Sequence, residues 1–158
     1  MALEGTARTP LLEIDGVWVK LECAHPDGSV RDRAAAFLLR QAAARGELRR
    51  GDVVVESVAG AAGVALARAT AAAGCRLMLF LPADAGGLQR RLLERLGAEV
   101  RLTPATDGPA GAEAARDAYR GRRGYHVADL RRHPDNVRLM HETTGAELAG
   151  QLAGRGVV

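Results

Sequence analysis

Asp52-Val-Val-Val-Glu56, then Ala61 through Ala73, then Cys75-Arg-Leu-Met-Leu-Phe-Leu81 decide the fold of this 158-residue chain. The first run is short and β-branched, which is the mark of a strand buried on both faces. The second is a run of small residues that ends at Gly74 and reads as a helix. The third is again apolar throughout and is stopped by Pro82. Strand, crossover helix and strand in that order predict a right-handed connection and a parallel sheet.

The alternation continues in both directions. Downstream, Leu88, Leu92, Leu93 and Leu96 form a helical stripe that ends at Gly97, and Glu99 to Leu102 is a third strand. A helix from about Gly108 to Arg120 follows, with Ala112, Ala115 and Tyr119 inward. Tyr125 to Ala128 is a fourth strand. Pro134 opens a last helix carrying Val137, Met140, Thr144, Leu148 and Leu152. Upstream, Ser29 caps a helix whose inner face holds Val30, Ala34, Phe37, Leu38 and Gln41, and Gly46 closes it. Before that, Leu11–Ile14 and Val17–Glu22 flank Asp15-Gly16, a strong two-residue hairpin signal. The expected architecture is α/β: a three-layer open parallel sheet of about four strands with helices on both faces, preceded by an N-terminal β-hairpin. One domain is expected over 1–158, with hairpin and linker at 1–28 and the α/β core and last helix at 29–158.

Composition excludes several classes. With 47% hydrophobic residues the chain has enough apolar side chains for a core. Charged residues make up 26%, and no apolar run approaches the ~20 residues of a bilayer span, so no membrane association is expected. No N-terminal stretch pairs basic residues with an apolar core and a small-residue cleavage site, so a secreted precursor is not expected. Two cysteines, Cys23 and Cys75, are too few for a disulfide framework. A reducing cytoplasm is the expected setting. Of the 22 basic residues only Lys20 is a lysine; all others are arginine. The net charge of +3 is mild, and Arg120, Arg122, Arg123, Arg131 and Arg132 lack an interleaved aromatic platform, so a solvated face is expected there and nucleic acid is not.

Local motifs are sparse. Gly60-Ala61-Ala62-Gly63 falls at a strand-to-helix turn, where backbone N–H groups and the helix dipole favour an anion. The competing reading of the same turn is close packing. Cys23 and His25 offer two metal ligands without a third, so no metal is expected. His126 and His141 read as packed strand and helix residues.

Taken in order, longer segments resemble a known family. Thr9-Pro-Leu-Leu12, Val17-Trp-Val-Lys-Leu-Glu22 and Gly28-Ser-Val-Arg-Asp-Arg33 are similar to the opening of cysteine synthase and cystathionine β-synthase, pyridoxal-phosphate enzymes of the tryptophan-synthase-β type. The likeness continues through Glu56–Gly63, Leu77–Pro82, Gly97–Thr103, His133–Asn136 and His141–Glu147. It is collinear over nearly the whole chain.

The departures fall on the chemistry. The resemblance implies a Schiff-base lysine where this chain has Arg31. A guanidinium stays protonated and delocalised and does not attack an aldehyde. The next family motif, Thr-Ser-Gly-Asn-Thr-Gly, corresponds to Val58-Ala-Gly-Ala-Ala-Gly63: both glycines remain and all four polar side chains are apolar. The sequence stops near Gln151–Val158, before the position where the resemblance implies a glycine-rich phosphate cup, so a half-length relative is expected.

These departures imply a catalytically degenerate, cysteine-synthase-like protein without pyridoxal phosphate, acting as a binding or regulatory partner in sulfur amino-acid or specialised metabolism. Two alternatives stay open: an enzyme with repurposed, cofactor-independent chemistry on a small carboxylate or amino acid, and a subunit completed by another chain. The candidate anion-binding residues are Ser29, Arg31, Gly60, Ala61 and Gly63, holding a small anion weakly. Asp32 and Arg33 read as a helix cap and a surface ion pair. The resemblance implies that the hairpin pairs with the sheet of a second half. Its open apolar edge therefore predicts a homodimer or heteromer through residues 9–22.

Overall fold

The computed structural model describes residues 8–155; the outermost parts of the expected domain, 1–7 and 156–158, lie outside the described residues. A hairpin opens the fold, with β1 (Leu11–Ile14) antiparallel to β2 (Val17–Lys20) in the register Leu11↔Lys20 to Ile14↔Val17. Asp15 and Gly16 both have positive φ, 50° and 78°, the backbone that a two-residue hairpin turn requires. Beyond Lys20 the chain leaves the ladder for a 3-10 turn at Glu22–Ala24.

Helix α1 (Arg31–Ala44) precedes β3 (Val53–Glu56), and α2 (Gly60–Ala72) leads to β4 (Arg76–Pro82). Then come α3 (Gly87–Arg95), β5 (Ala98–Thr103), α4 (Gly108–Asp117) and β6 (Tyr125–Val127). The last helical segment is α5 (Asn136–Met140), a π-helical turn at His141–Gly145, and α6 (Ala146–Leu152). The sheet order is β5-β4-β3-β6 with every pairing parallel. β3 is buried along its whole length. Val54, Leu77, Leu79 and Leu81 face α1, α2 and Leu93 of α3. Val53, Val55, Met78 and Phe80 face Ala112 and Tyr119 on the α4 side. Alternation of side chains across the pleat thus feeds two cores from one pair of strands.

Three expectations need correction. Ser29 is not the residue that flanks α1; that is Val30, although the Ser29 hydroxyl does accept a backbone N–H at the helix start, that of Arg31 at 3.1 Å. The α3 stripe is mostly outside the core: Leu93 is buried, but Leu88, Leu92 and Leu96 are exposed. In the last helix Val137 and Met140 are exposed and Leu139 is the inward residue. The π turn inserts an extra residue per turn, so one 3.6-residue period cannot describe both sides of it.

Candidate functional site

The chain leaves the core at the C-terminal ends of β3 and β6, and there a cavity of ≈390 Å³ opens. Parallel sheets place their ligand crevices at this end because the strand-to-helix turns splay apart there. The walls are Arg31 and Ala34 from the first turns of α1, Ser57–Ala59, Ala61 and Ala62 from the turn into α2, and Leu130 and Arg131 after β6. A second hollow shares Arg31, Ala34, Leu130 and Arg131 and extends toward Leu139 and Met140.

Glu56 fixes the floor. This carboxylate is 1% exposed and accepts the Ser57 N–H and the Arg116 guanidinium, at 2.8 and 2.9 Å, on one oxygen. Its other oxygen accepts the Leu130 N–H at 2.8 Å. One side chain therefore staples the two loops that form opposite walls. Burial alone would lower the Arg116 pKa, but hydrogen bonds to Asp117 and Glu56 raise it above the ordinary arginine value. Sequence reasoning missed this pair. Its only signal was a carboxylate closing an otherwise apolar buried strand, which demands a partner.

Of the candidate residues, Arg31 and Ala61 line the cavity, and Gly60, the first residue of α2, lies between two lining residues. Ser29 is not among the lining residues, and its hydroxyl is already engaged by Arg31. Gly63 has a packing reason of its own: a Cβ there would stand 2.8 Å from Leu93 Cδ2. The Arg31 side chain has no carboxylate partner among the described residues, and Arg131 meets Glu113 at 3.3 Å while staying largely exposed. The site is cationic, backbone-rich and poor in side chains able to move a proton.

Arg33 corrects the surface-pair expectation. It is 1% exposed and binds Glu22 through Nε at 2.6 Å and Glu147 through Nη1 at 2.6 Å. Lys20 Nζ joins the cluster, 2.8 Å from Glu147 Oε2 and 2.8 Å from Gln151 Oε1. Burial raises the Glu22 carboxyl, but hydrogen bonds from Arg33 and Thr9 overcome it and hold the pKa at about 2. The Arg33 hydrogen bond brings Glu147 to about 2 against burial, with Lys20 contributing. Asp32 is buried too, accepting the Asp27 N–H at 2.8 Å instead of capping α1, and burial raises its carboxyl pKa. His25 is buried against Glu22, and Cys23 is exposed. No group of three or more His, Cys, Asp or Glu residues is arranged to hold a metal among the described residues.

The fold is thus a parallel α/β domain with a crevice at its strand C-termini, walled by two arginines and the turn into α2. The chain belongs to the pyridoxal-phosphate dependent enzyme family, whose pattern matches residues 2–157. It is similar to cysteine synthase B of Salmonella typhimurium, 37% identical over 139 residues, covering 88% of this chain and 46% of that one. It is 32% identical over 155 residues to a cysteine synthase of Flavobacterium sp., covering 93% and 50%. The chain thus spans about half the length of the curated relatives it matches. Among solved structures, O-ureido-L-serine synthase superposes with a TM-score of 0.86 at 31% identity, over 96% of this chain and 50% of that one. Cysteine synthase from Entamoeba histolytica gives 0.85 at 31% identity, over 96% and 49%.

The lining residues do not fit the family cofactor's covalent attachment. A Schiff base needs an amine at the cavity, and none of the lining residues carries one. Lys20, the only lysine, is spent on Glu147, Gln151 and the Thr9 carbonyl and is not part of the cavity wall. Within the turn itself, Ser57 brings the one polar side chain, and the lining residues after it are apolar.

Proposed function

We propose that this cysteine-synthase-like chain has lost Schiff-base chemistry and acts as a binding or regulatory partner of an enzyme of sulfur amino-acid or specialised metabolism, in the cytoplasm. One observation carries the reading: the cavity offers the guanidinium of Arg31 where the family places a lysine, and Lys20 is locked in an ion cluster elsewhere. The partner engages the hairpin, where Leu12, Ile14 and Val17 are 45%, 50% and 62% exposed on a sheet of two strands among the described residues. A partner's sheet would cover that apolar edge; a full-length synthase is the simplest such partner. Two free cysteines, one of them exposed, accord with a reducing compartment.

Absorbance of the purified protein with added pyridoxal phosphate tests the chemistry. No aldimine band is expected, and borohydride should fix no cofactor onto a residue. Synthase activity from O-acetylserine and sulfide should be absent, and Arg31→Lys alone should not restore it, because Val58, Ala59, Ala61 and Ala62 still lack the polar groups. A yellow preparation whose colour borohydride makes permanent would overturn the reading.

A second reading rests on the same crevice. Arg31 and Arg131 beside the N-terminus of α2 suit a small carboxylate or phosphate. That would make the chain an anion-binding module, or an enzyme with chemistry independent of the cofactor.

A further inference from the structure

β5 lies at the edge of the sheet, and no strand covers its outer side among the described residues. The Ala83 N–H donates to the Thr103 carbonyl at 2.9 Å, so Thr103 turns its backbone groups toward β4. Alternation along the strand then points the N–H and C=O of Arg101 and Glu99 inward as well. Those of Ala98, Val100 and Leu102 point outward, to the open edge. Side chains follow the same period. Ala98 and Val100 pack into the core on the α1–α3 side, which places Leu102 on that face, 44% exposed. Leu92 and Leu96 of α3, 48% and 42% exposed, belong to the same side of the sheet. Glu99 and Arg101 lie on the other face, paired at 2.7 Å and both open to solvent.

We propose that β5 is a self-association edge: two copies pair antiparallel about a two-fold axis centred on Val100, doubling the four-stranded sheet. In this register Val100 faces Val100 of the second copy, both with outward backbone groups, so each amide donates to the other's carbonyl. Ala98 faces Leu102 in the same way. Glu99 comes opposite Arg101 of the second copy, and symmetry repeats the contact. A slip of one residue sets outward groups against inward ones. A slip of two keeps the hydrogen-bond pattern but sets Glu99 against Glu99 or Arg101 against Arg101. Backbone direction and charge together select one register. Strand spacing of ~4.8 Å then brings the α3 helices of the two copies side by side over the joined sheet, where Leu92, Leu96 and Leu102 leave water. This edge is distinct from the hairpin, and the inference is independent of the functional reading above.

Light scattering of the full chain at micromolar concentrations should give a dimer. Val100→Pro removes the amide at the two-fold and costs no bond to β4, because that amide points outward; it should give a monomer with unchanged helical circular dichroism. Glu99→Arg alone and Arg101→Glu alone each set like charges opposite one another twice. Each should raise the dissociation constant by about tenfold, and the double reversal should restore the wild-type value. Ile14→Lys in the hairpin should leave the dimer intact. A monomeric wild type, a dimer untouched by the single charge reversals, or a dimer abolished by Ile14→Lys would each overturn the proposal.

Discussion

Arg31 and Arg33 stand two positions apart at the start of α1 and serve opposite ends. Arg31 points its charge into an open crevice without a carboxylate partner among the described residues, whereas Arg33 is enclosed by two carboxylates. An unpaired guanidinium beside a helix N-terminus should respond to anions. Sulfate or phosphate at millimolar concentration should raise the melting temperature, and Arg31→Ala should remove most of that rise by deleting the one charge on α1 that faces the cavity. Equal rises in both proteins would show binding elsewhere. The place of Arg31 on the cavity wall could be anticipated because it sits within a recognisable motif. The burial of Arg33 was not: its partners lie 11 and 114 positions away, and polar residues in the first turn of a helix ordinarily face water. Glu56 was hidden for the same reason, since its acceptor bonds reach Arg116 and Leu130, 60 and 74 positions on.

At the scale of elements, the punctuation was readable and the facing was not. Asp15-Gly16, Gly46, Gly74 and Gly97 mark turns or helix ends because each adopts a positive φ that the turn requires. Which side of α3 or α5 is buried depends on what packs there, and periodicity assigns a face without naming its neighbour. The element with most at stake is the hairpin, since Thr9, Lys20 and Glu22 meet Arg33 of α1 and Glu147 and Gln151 of α6. The carboxyls of Glu22 and Glu147 drop from an ordinary 4.5 to about 2 on folding. Groups with depressed folded values contribute stability that is fully present above pH ~4.5 and lost as pH falls toward 2. The ceiling is about 3 kcal/mol for each carboxylate, and the shared Arg33 makes the two contributions non-additive. Urea midpoints measured between pH 5 and pH 2 should fall steeply. Arg33→Met should flatten that slope while lowering stability at neutral pH by about 3–5 kcal/mol, because it leaves buried charges unpaired. A pH slope equal to the wild type's would show that other groups set the acid response.

Across the whole molecule, the parallel sheet and the hairpin are held by different forces, and that difference should appear in unfolding. The sheet is sealed by two apolar cores, with β3 inaccessible on both faces. The hairpin's apolar side chains contribute little to either core, and Leu12, Ile14 and Val17 stay exposed. It is held at its base by the Arg33 cluster and at Trp18 by the Arg155 guanidinium, 4.7 Å from the ring centroid. Strand and helix alternation made the sheet legible from the sequence, because burial on both faces leaves an unbroken apolar signal. The attachment of the hairpin left no local signal, because it depends on a few long-range ionic contacts. Regions with few buried apolar contacts open first, so Trp18, the only tryptophan, should report a transition that precedes loss of helical circular dichroism in urea. High salt should widen the gap by weakening the outer part of the ion cluster while leaving the apolar core intact. If a partner protein binds the hairpin, its addition should close the gap by stabilising the first element to open. Coincident transitions at every salt concentration would instead make hairpin and sheet one cooperative unit, and the ion cluster would then be as strong a link as the apolar core.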